Sequence, residues 1–362
     1  MQSRTAIFLG AGASKAFGYP LTAEILPIIR EQLGTGKLFG RGANQLALEK
    51  QLQKYFRRML PGWNKSTIGT PPITDVLSLL DYSSISQTAP LLGAATADLL
   101  RFRRLLERAI YQVIDDKYHG EETNDLERFV QFLGTPSDDI GLITTNYDIE
   151  VETALFNKFK YKEIETGFDF GFDWREPYGD AEVIYPRPTR PMVRFYKLHG
   201  SLNWLRCDVC EHTYINVDGP IGIRAFDEKP GPFNSCHCGH FPLNLVLTAP
   251  SLVRDIRNAD LLATWQAALE LLRSASQWII IGYSFPQEDL AIRSMFIRAY
   301  QARGFKRRKP PKVTVVQKDS DQAVKDRYRI LFPSCEWIDT GLVGFLDAQA
   351  KAPGKTSARP RR

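Results

Sequence analysis

A short apolar run, Thr5-Ala6-Ile7-Phe8-Leu9, passes directly into Gly10-Ala11-Gly12-Ala13-Ser14 and then into a helical stretch, Lys15 to Leu33. Nothing else between Met1 and Arg362 constrains the fold as much. A buried strand that ends in a glycine-rich turn and opens a helix is the first unit of an open α/β sheet. Its glycines let the backbone approach a ligand, and the free N–H groups of the first helical turn point at a pyrophosphate. The same turn also serves as a tight connection with no ligand, and the third glycine of GxGxxG is missing. Ser14 adds a hydroxyl where a phosphate would sit.

Further buried strands follow at Ile140 to Thr145, Val193 to Leu198, Trp278 to Ile281, Val313 to Gln317 and Trp337-Ile338. Helical patterns separate them: Leu21 to Leu33 with Thr22 as N-cap, a run from Glu150, Asn258 to Ser274, Leu290 to Arg303 and Asp319 to Ile330. This alternation predicts an α/β fold with a Rossmann-like parallel sheet. Between Asn44 and Leu133 the spacing is helical throughout, as at Leu99, Phe102, Leu105, Leu106 and Ala109. Such a segment is too long for one crossover and reads as an insertion, over the cofactor cleft or against another subunit. Phe168 to Pro191 reads as loop, and Leu243 to Ala249 as a return to the core. The expected organisation is a core of residues 1–43, 134–199 and 243–346, a helical insertion at 44–133, a cysteine-rich, zinc-knuckle-like module at 200–242 and a basic disordered tail at 347–362.

The formal net charge is +6, and much of the excess lies in Arg303 to Lys312 and Lys351 to Arg362. Solvated surface is the default reading of such runs, with a nucleic-acid or acidic-partner contact as the alternative. No apolar run approaches the ~18 residues of a membrane span. The start of the chain lacks the layout of a signal peptide, so a cytoplasmic setting without a membrane partner is expected. Four of the five cysteines form close pairs, Cys207-x-x-Cys210 and Cys236-x-Cys238, which point to a metal rather than to disulfides. A structural four-cysteine zinc site fits best, with His212, His237 or His240 as possible replacements. Cys335 is expected in the core.

Polar or glycine-rich groups follow the strands at Gly10 to Ser14, Asn146 to Asp148 and Gly282 to Ser284. Gln317 to Asp319 is placed to meet an adenosine, and His199 follows the strand ending at Leu198. In an open α/β sheet these ends share one face, where ligands bind. Asn146 can orient a water or a ribose hydroxyl, and His199 can take a proton near neutrality. Asp148 either favours positive charge on a sugar or caps the helix from Glu150.

Gly10-Ala11-Gly12-Ala13-Ser14, Gly18-Tyr19-Pro20, Thr145-Asn146-Tyr147-Asp148, His199-Gly200-Ser201, the cysteine pairs and Gly282-Tyr283-Ser284 occur in the order of the sirtuin (silent-information-regulator) family. The resemblance runs from about Thr5 to Asp319. It implies an NAD+-binding Rossmann-like domain that breaks the nicotinamide–ribose bond. Gly10, Ala11, Gly12 and Ser14 would hold the pyrophosphate and ribose, and Asn146 and Asp148 would lie beside the nicotinamide ribose. His199 would be catalytic, and Gly282 and Ser284 would lie at the adenosine side, where the strand-end reading also places Gln317. Deacylase sirtuins differ at Pro20-Leu21-Thr22-Ala23, at Thr145, where they carry Gln, and at Leu247-Thr248-Ala249-Pro250-Ser251, where they carry a peptide-binding stretch. The chain therefore looks like the sirtuin-like effectors of bacterial antiviral defence, in which water is the acceptor. That resemblance implies an NAD+ glycohydrolase, homo-oligomeric, paired with a HerA-type ATPase and so indirectly with nucleic acid. A protein deacylase and a non-catalytic NAD+ or ADP-ribose-binding regulator are the alternatives.

Overall fold

The computed structural model describes residues 4–351 except 66, 87–95, 119–122, 135–138, 160–166, 178–182, 192, 249–257, 288, 306–308 and 319–320. A seven-stranded parallel sheet forms its centre. The strands are β1 (Thr5–Leu9), β2 (Ile140–Thr144), β3 (Phe168–Asp169), β4 (Val193–Lys197), β8 (Gln277–Ile281), β9 (Lys312–Val316) and β10 (Glu336–Ile338), in the order β10-β9-β8-β1-β2-β4-β3. On one side of β1 lie β2, β4 and then β3 at the edge, and on the other β8, β9 and β10 follow outward in chain order. The strand order thus reverses between β1 and β8, where doubly wound sheets open a crevice. This is the Rossmann-like fold expected from the alternation.

Both faces of the sheet are covered, which is why its strands read as unbroken apolar runs. Alternate residues of β1 serve the two faces: Ile7 and Leu9 enter one core, and Ala6 and Phe8 the other. The second core packs Trp278, Phe296 and Phe332 under the helices α8 (Ala259–Ser274), α9 (Leu290–Phe305) and α10 (Gln322–Leu331). The first core extends through α1 (Ala11–Ala16) and α2 (Thr22–Thr35) into α3 (Ala43–Met59), α4 (Ile73–Ser86), α5 (Thr96–Asp115) and α6 (Asn124–Leu133). Within that helical unit α5 packs against α2, α3 and α4. A seventh helix, α7 (Glu150–Phe159), lies against α6.

A second, antiparallel sheet has the order β6-β5-β7, built from β5 (Gly200–Arg206), β6 (Thr213–Ile215) and β7 (Asn244–Leu247). It carries the cysteines in a small core of its own, with Leu205, Tyr214, Ile221 and Leu243.

Several expectations need correction. Lys15 to Leu33 is two helices, interrupted around Gly18 (φ +97°) and Pro20. Thr22 is not the N-cap of α2. Leu21 is, and its N–H donates to the Glu24 carboxylate at 2.7 Å. The stretch from Phe168 contributes the edge strand β3, whose Asp169 is fixed by Arg187 and by the Tyr196 hydroxyl. Residues 244–247 join the small sheet through β5, so the module does not end at 242. The expected tail begins inside a helix, α11 (Gly341–Lys351), whose Leu342, Phe345 and Leu346 are buried and which packs on α1 and α6. Residues 352–362 and the centre of the Arg303 to Lys312 run lie outside the described residues. Cys335 is half-buried against the second core.

Candidate functional site

Three strand ends meet in one place. After β1, Gly10 N–H donates to the Ile281 carbonyl at 2.9 Å, and Gly12 N–H to the Gly282 carbonyl at 2.8 Å. Gly282 sits at φ +65°, and a Cβ there would lie 2.2 Å from the Ala13 nitrogen. A Cβ on Gly10 would strike Tyr283 at 2.7 Å. The glycines are therefore spent chiefly on packing the β1 and β8 loops against each other. The Gly12 N–H points into that contact and is not free for a pyrophosphate, as the sequence had implied.

The β2 end is stitched to the same loop. Asn146 Nδ2 donates to the Gly10 carbonyl at 2.9 Å and to Ser14 Oγ at 2.7 Å. Ser14 Oγ in turn donates to Asp148 Oδ2 at 2.5 Å. A carbonyl only accepts, so this contact fixes the amide orientation and commits both Nδ2 protons. Oδ1 is left as the group Asn146 can offer a ligand, and it can only accept. Among the described residues the Asp148 carboxylate accepts from Ser14 rather than capping α7. It is buried, as is His199 at the β4 end.

These groups line a cavity of 840 Å³. Ala11, Gly12, Ser14, Asn146, Asp148, His199, Gly282, Ser284 and Gln317 all border it, whereas Gly10 stands behind as a carbonyl acceptor. Gln317 is partly committed elsewhere, since its Nε2 donates to the Tyr283 carbonyl together with the Tyr328 hydroxyl. The helical unit supplies a wall: Pro72, Ile73 and Thr74 at the start of α4, and Ile110 and Ile114 of α5. The insertion thus lies over the cleft.

Sequence reasoning gave no role to four groups here. Tyr19 borders the cavity and donates to Glu150 Oε1 at 2.7 Å. Burial and the charge of Asp148 push its hydroxyl pKa up, and burial raises the Glu150 carboxyl. Behind the site, Lys197 Nζ donates to the Asp148 carbonyl at 2.5 Å and to Glu152 Oε1 at 2.7 Å. The available signal was a lysine inside an apolar, buried strand, which needs a buried acceptor.

The cysteine module is held together by local geometry. Sulfur atoms of Cys207, Cys210, Cys236 and Cys238 all lie within 4.8 Å of one another. Cys207 and Cys238 are 3.7 Å apart, and Cys210 and Cys236 3.3 Å. Four sulfurs around a tetrahedral zinc at ~2.3 Å are separated by about 3.8 Å, so the donor set fits that ion. Val209 N–H donates to Cys207 Sγ and Cys238 N–H to Cys236 Sγ, turning each pair into a knuckle. His212 and His237 flank the cluster beside Cys210, and His240 contributes its carbonyl to the second knuckle. Burial pushes the Cys236 thiol up to about 12, while the hydrogen bond from the His240 backbone brings Cys238 down to about 7. Four protein ligands would leave no open position, which makes the role structural.

Among the described residues no helix is long and apolar enough to cross a membrane. No curated protein matches the chain. A solved sirtuin structure ("The Structural basis for Sirtuin Substrate affinity") is similar at 13% identity and a TM-score of 0.36, with 96% of this chain and 92% of that one covered. The family described as SIR2-like domain matches residues 141–332, more than half of the chain. That span includes Asn146, Asp148, His199, the four clustered cysteines and Gly282, and it supports NAD+-dependent, sirtuin-like activity in general. The glycine loop at 10–14 lies outside the match but is bound to Gly282 within it. The chain belongs to the SIR2-like domain family.

Proposed function

We propose that the protein is an NAD+ glycohydrolase that releases nicotinamide and ADP-ribose. The observation that carries this reading is the convergence of the Asn146–Ser14–Asp148 chain and His199 on one cavity walled by α4 and α5. The C1′–N bond of NAD+ breaks with its electron pair going to the pyridinium nitrogen, so nicotinamide leaves neutral. The Asp148 carboxylate, held by Ser14, favours the positive charge that develops on the ribose. Asn146 Oδ1 accepts a hydrogen bond from a water or a ribose hydroxyl and so orients it. Water bonds to C1′ and gives its proton to His199.

Water as acceptor is supported by Pro20-Leu21-Thr22-Ala23, which border the cavity where deacylase sirtuins carry a different stretch. It is also supported by Thr248, at the position of the deacylase peptide stretch. Its N–H donates to the His199 carbonyl, and its carbonyl receives the Tyr147 hydroxyl. Residues 249–251 of that stretch lie outside the described residues.

In this reading the protein is an NAD+-depleting effector of antiviral defence, restrained by assembly with itself and with a HerA-type ATPase. The support is the sequence resemblance together with the chemistry: an unrestrained NAD+ hydrolase would drain its own cell. Purified protein mixed with NAD+, with and without an acetylated peptide, tests the activity. Nicotinamide and ADP-ribose in equal amounts without peptide are expected. NAD+ loss only with peptide, accompanied by O-acetyl-ADP-ribose, would make it a deacylase; binding without turnover would make it a regulator. Light scattering is expected to show an oligomer whose rate changes on adding the ATPase.

A further inference from the structure

Lys197 and Glu152 are the most deeply buried ion pair among the described residues, with side chains 0% and 1% exposed. The pair lies directly behind the candidate site. Its ammonium group donates to the Asp148 carbonyl, which receives no N–H from α7. The preceding carbonyl, of Tyr147, is held by the Leu202 N–H of β5 at 3.0 Å. Two consecutive carbonyls of the Asn146–Asp148 turn are thus clamped from β4 and β5. Lys197 is also two residues before His199, at a strand end where Trp265 Nε1 donates to the Leu198 carbonyl.

A pair buried this completely is not explained by stability, since apolar replacements of similar volume are commonly as stable or more so. What it offers is a fixed donor at Asp148 whose charge the Glu152 carboxylate cancels when ionised, at neutral pH and above. An uncancelled cation there would oppose positive charge on the ribose. Burial pushes the Glu152 carboxyl up to about 7 against the opposing pull of Lys197, and its Oε2 has no partner.

We propose that Lys197 and Glu152 are positioning residues for NAD+ cleavage, a charge-cancelling strut that keeps Asn146, Asp148 and His199 in register. This rests on the glycohydrolase reading. The test uses the full chain carrying Lys197→Met together with Glu152→Leu. That variant is expected to melt at or above the wild-type temperature. Its kcat for nicotinamide release should fall about 10²-fold, the loss typical of a misplaced reacting group, with KM for NAD+ changed less than about threefold. The imidazole resonance of His199, assigned by its loss in His199→Gln, should move. Restoring Lys197 alone, to give Glu152→Leu, should not restore kcat, because the cation is then uncancelled. A folded double variant with wild-type kcat, or with an unmoved His199 resonance, overturns the strut. If the wild type itself leaves NAD+ intact, the glycohydrolase reading fails, and the His199 resonance alone decides the strut.

Discussion

At the strand ends, Asn146 and Ser14 meet across 132 residues of sequence, and each proton between Gly10, Asn146, Ser14 and Asp148 is assigned to a partner. In the cysteine module, Cys207 and Cys238 meet across 31 residues, through knuckles whose N–H···S bonds each join neighbours two residues apart. The first cluster exists only because the sheet is folded; a metal held by the second would help its sheet to fold. Substitutions at the first should therefore remove chemistry and spare stability, and substitutions at the second should do the reverse.

The largest effect is expected in the module. Cys207→Ser with Cys210→Ser should lose metal, measured by elemental analysis, and melt about 10 °C or more below wild type. Activity per folded molecule should persist. A metal-free variant of full stability would erase the contrast between the two regions.

Next comes Glu152→Leu. It strands the Lys197 ammonium in the interior and should cost about 3–5 kcal/mol in urea unfolding. The double replacement with Lys197→Met should recover most of that.

The same pair sets a pH window. The folded carboxyl titrates near about 7 and the unfolded one at 4.5, so the folded state binds the extra proton between them. Stability from this group is then present at low pH and lost as pH rises from about 4.5 to about 7, by at most about 3 kcal/mol. The stability difference between wild type and the double variant should change only across that window. A flat difference from pH 4 to 8 would show that Glu152 is ionised throughout.

The smallest effect is at Ser14. Removing its hydroxyl in Ser14→Ala frees one Asn146 proton and leaves Asp148 without its donor, which should lower NAD+ turnover by roughly tenfold, about one ordinary hydrogen bond. A loss as large as that of Asn146→Ala would make Ser14 part of the reacting group.

The parallel sheet was legible because strands buried on both faces cannot hide their apolar runs, as Ile279-Ile280-Ile281 shows. The candidate site could be located in the sequence because Asn146, His199 and Gly282 each stand just past such a run, and all three border one cavity. What the sequence concealed depends on contacts between distant segments. Gly10 and Gly282 look like ligand glycines, and only their mutual approach shows that they pack loop on loop. The tail boundary at 347 falls inside α11, because the end of that helix, Asp347 to Lys351, carries no large apolar residue to separate it from a tail. Leu243 to Leu247 is apolar enough for either sheet, and its pairing with β5 decides. Glu152 appeared only as one acid in a helix, because its partner is 45 residues away.

The central claim is that the strand-end cluster performs the chemistry. Nicotinamide release by Asn146→Ala and His199→Ala, each with its melting temperature, tests it most directly. The account predicts a rate lower by ~10²–10⁴ in both, with melting unchanged within a few degrees. Near wild-type turnover in either well-folded variant would contradict it.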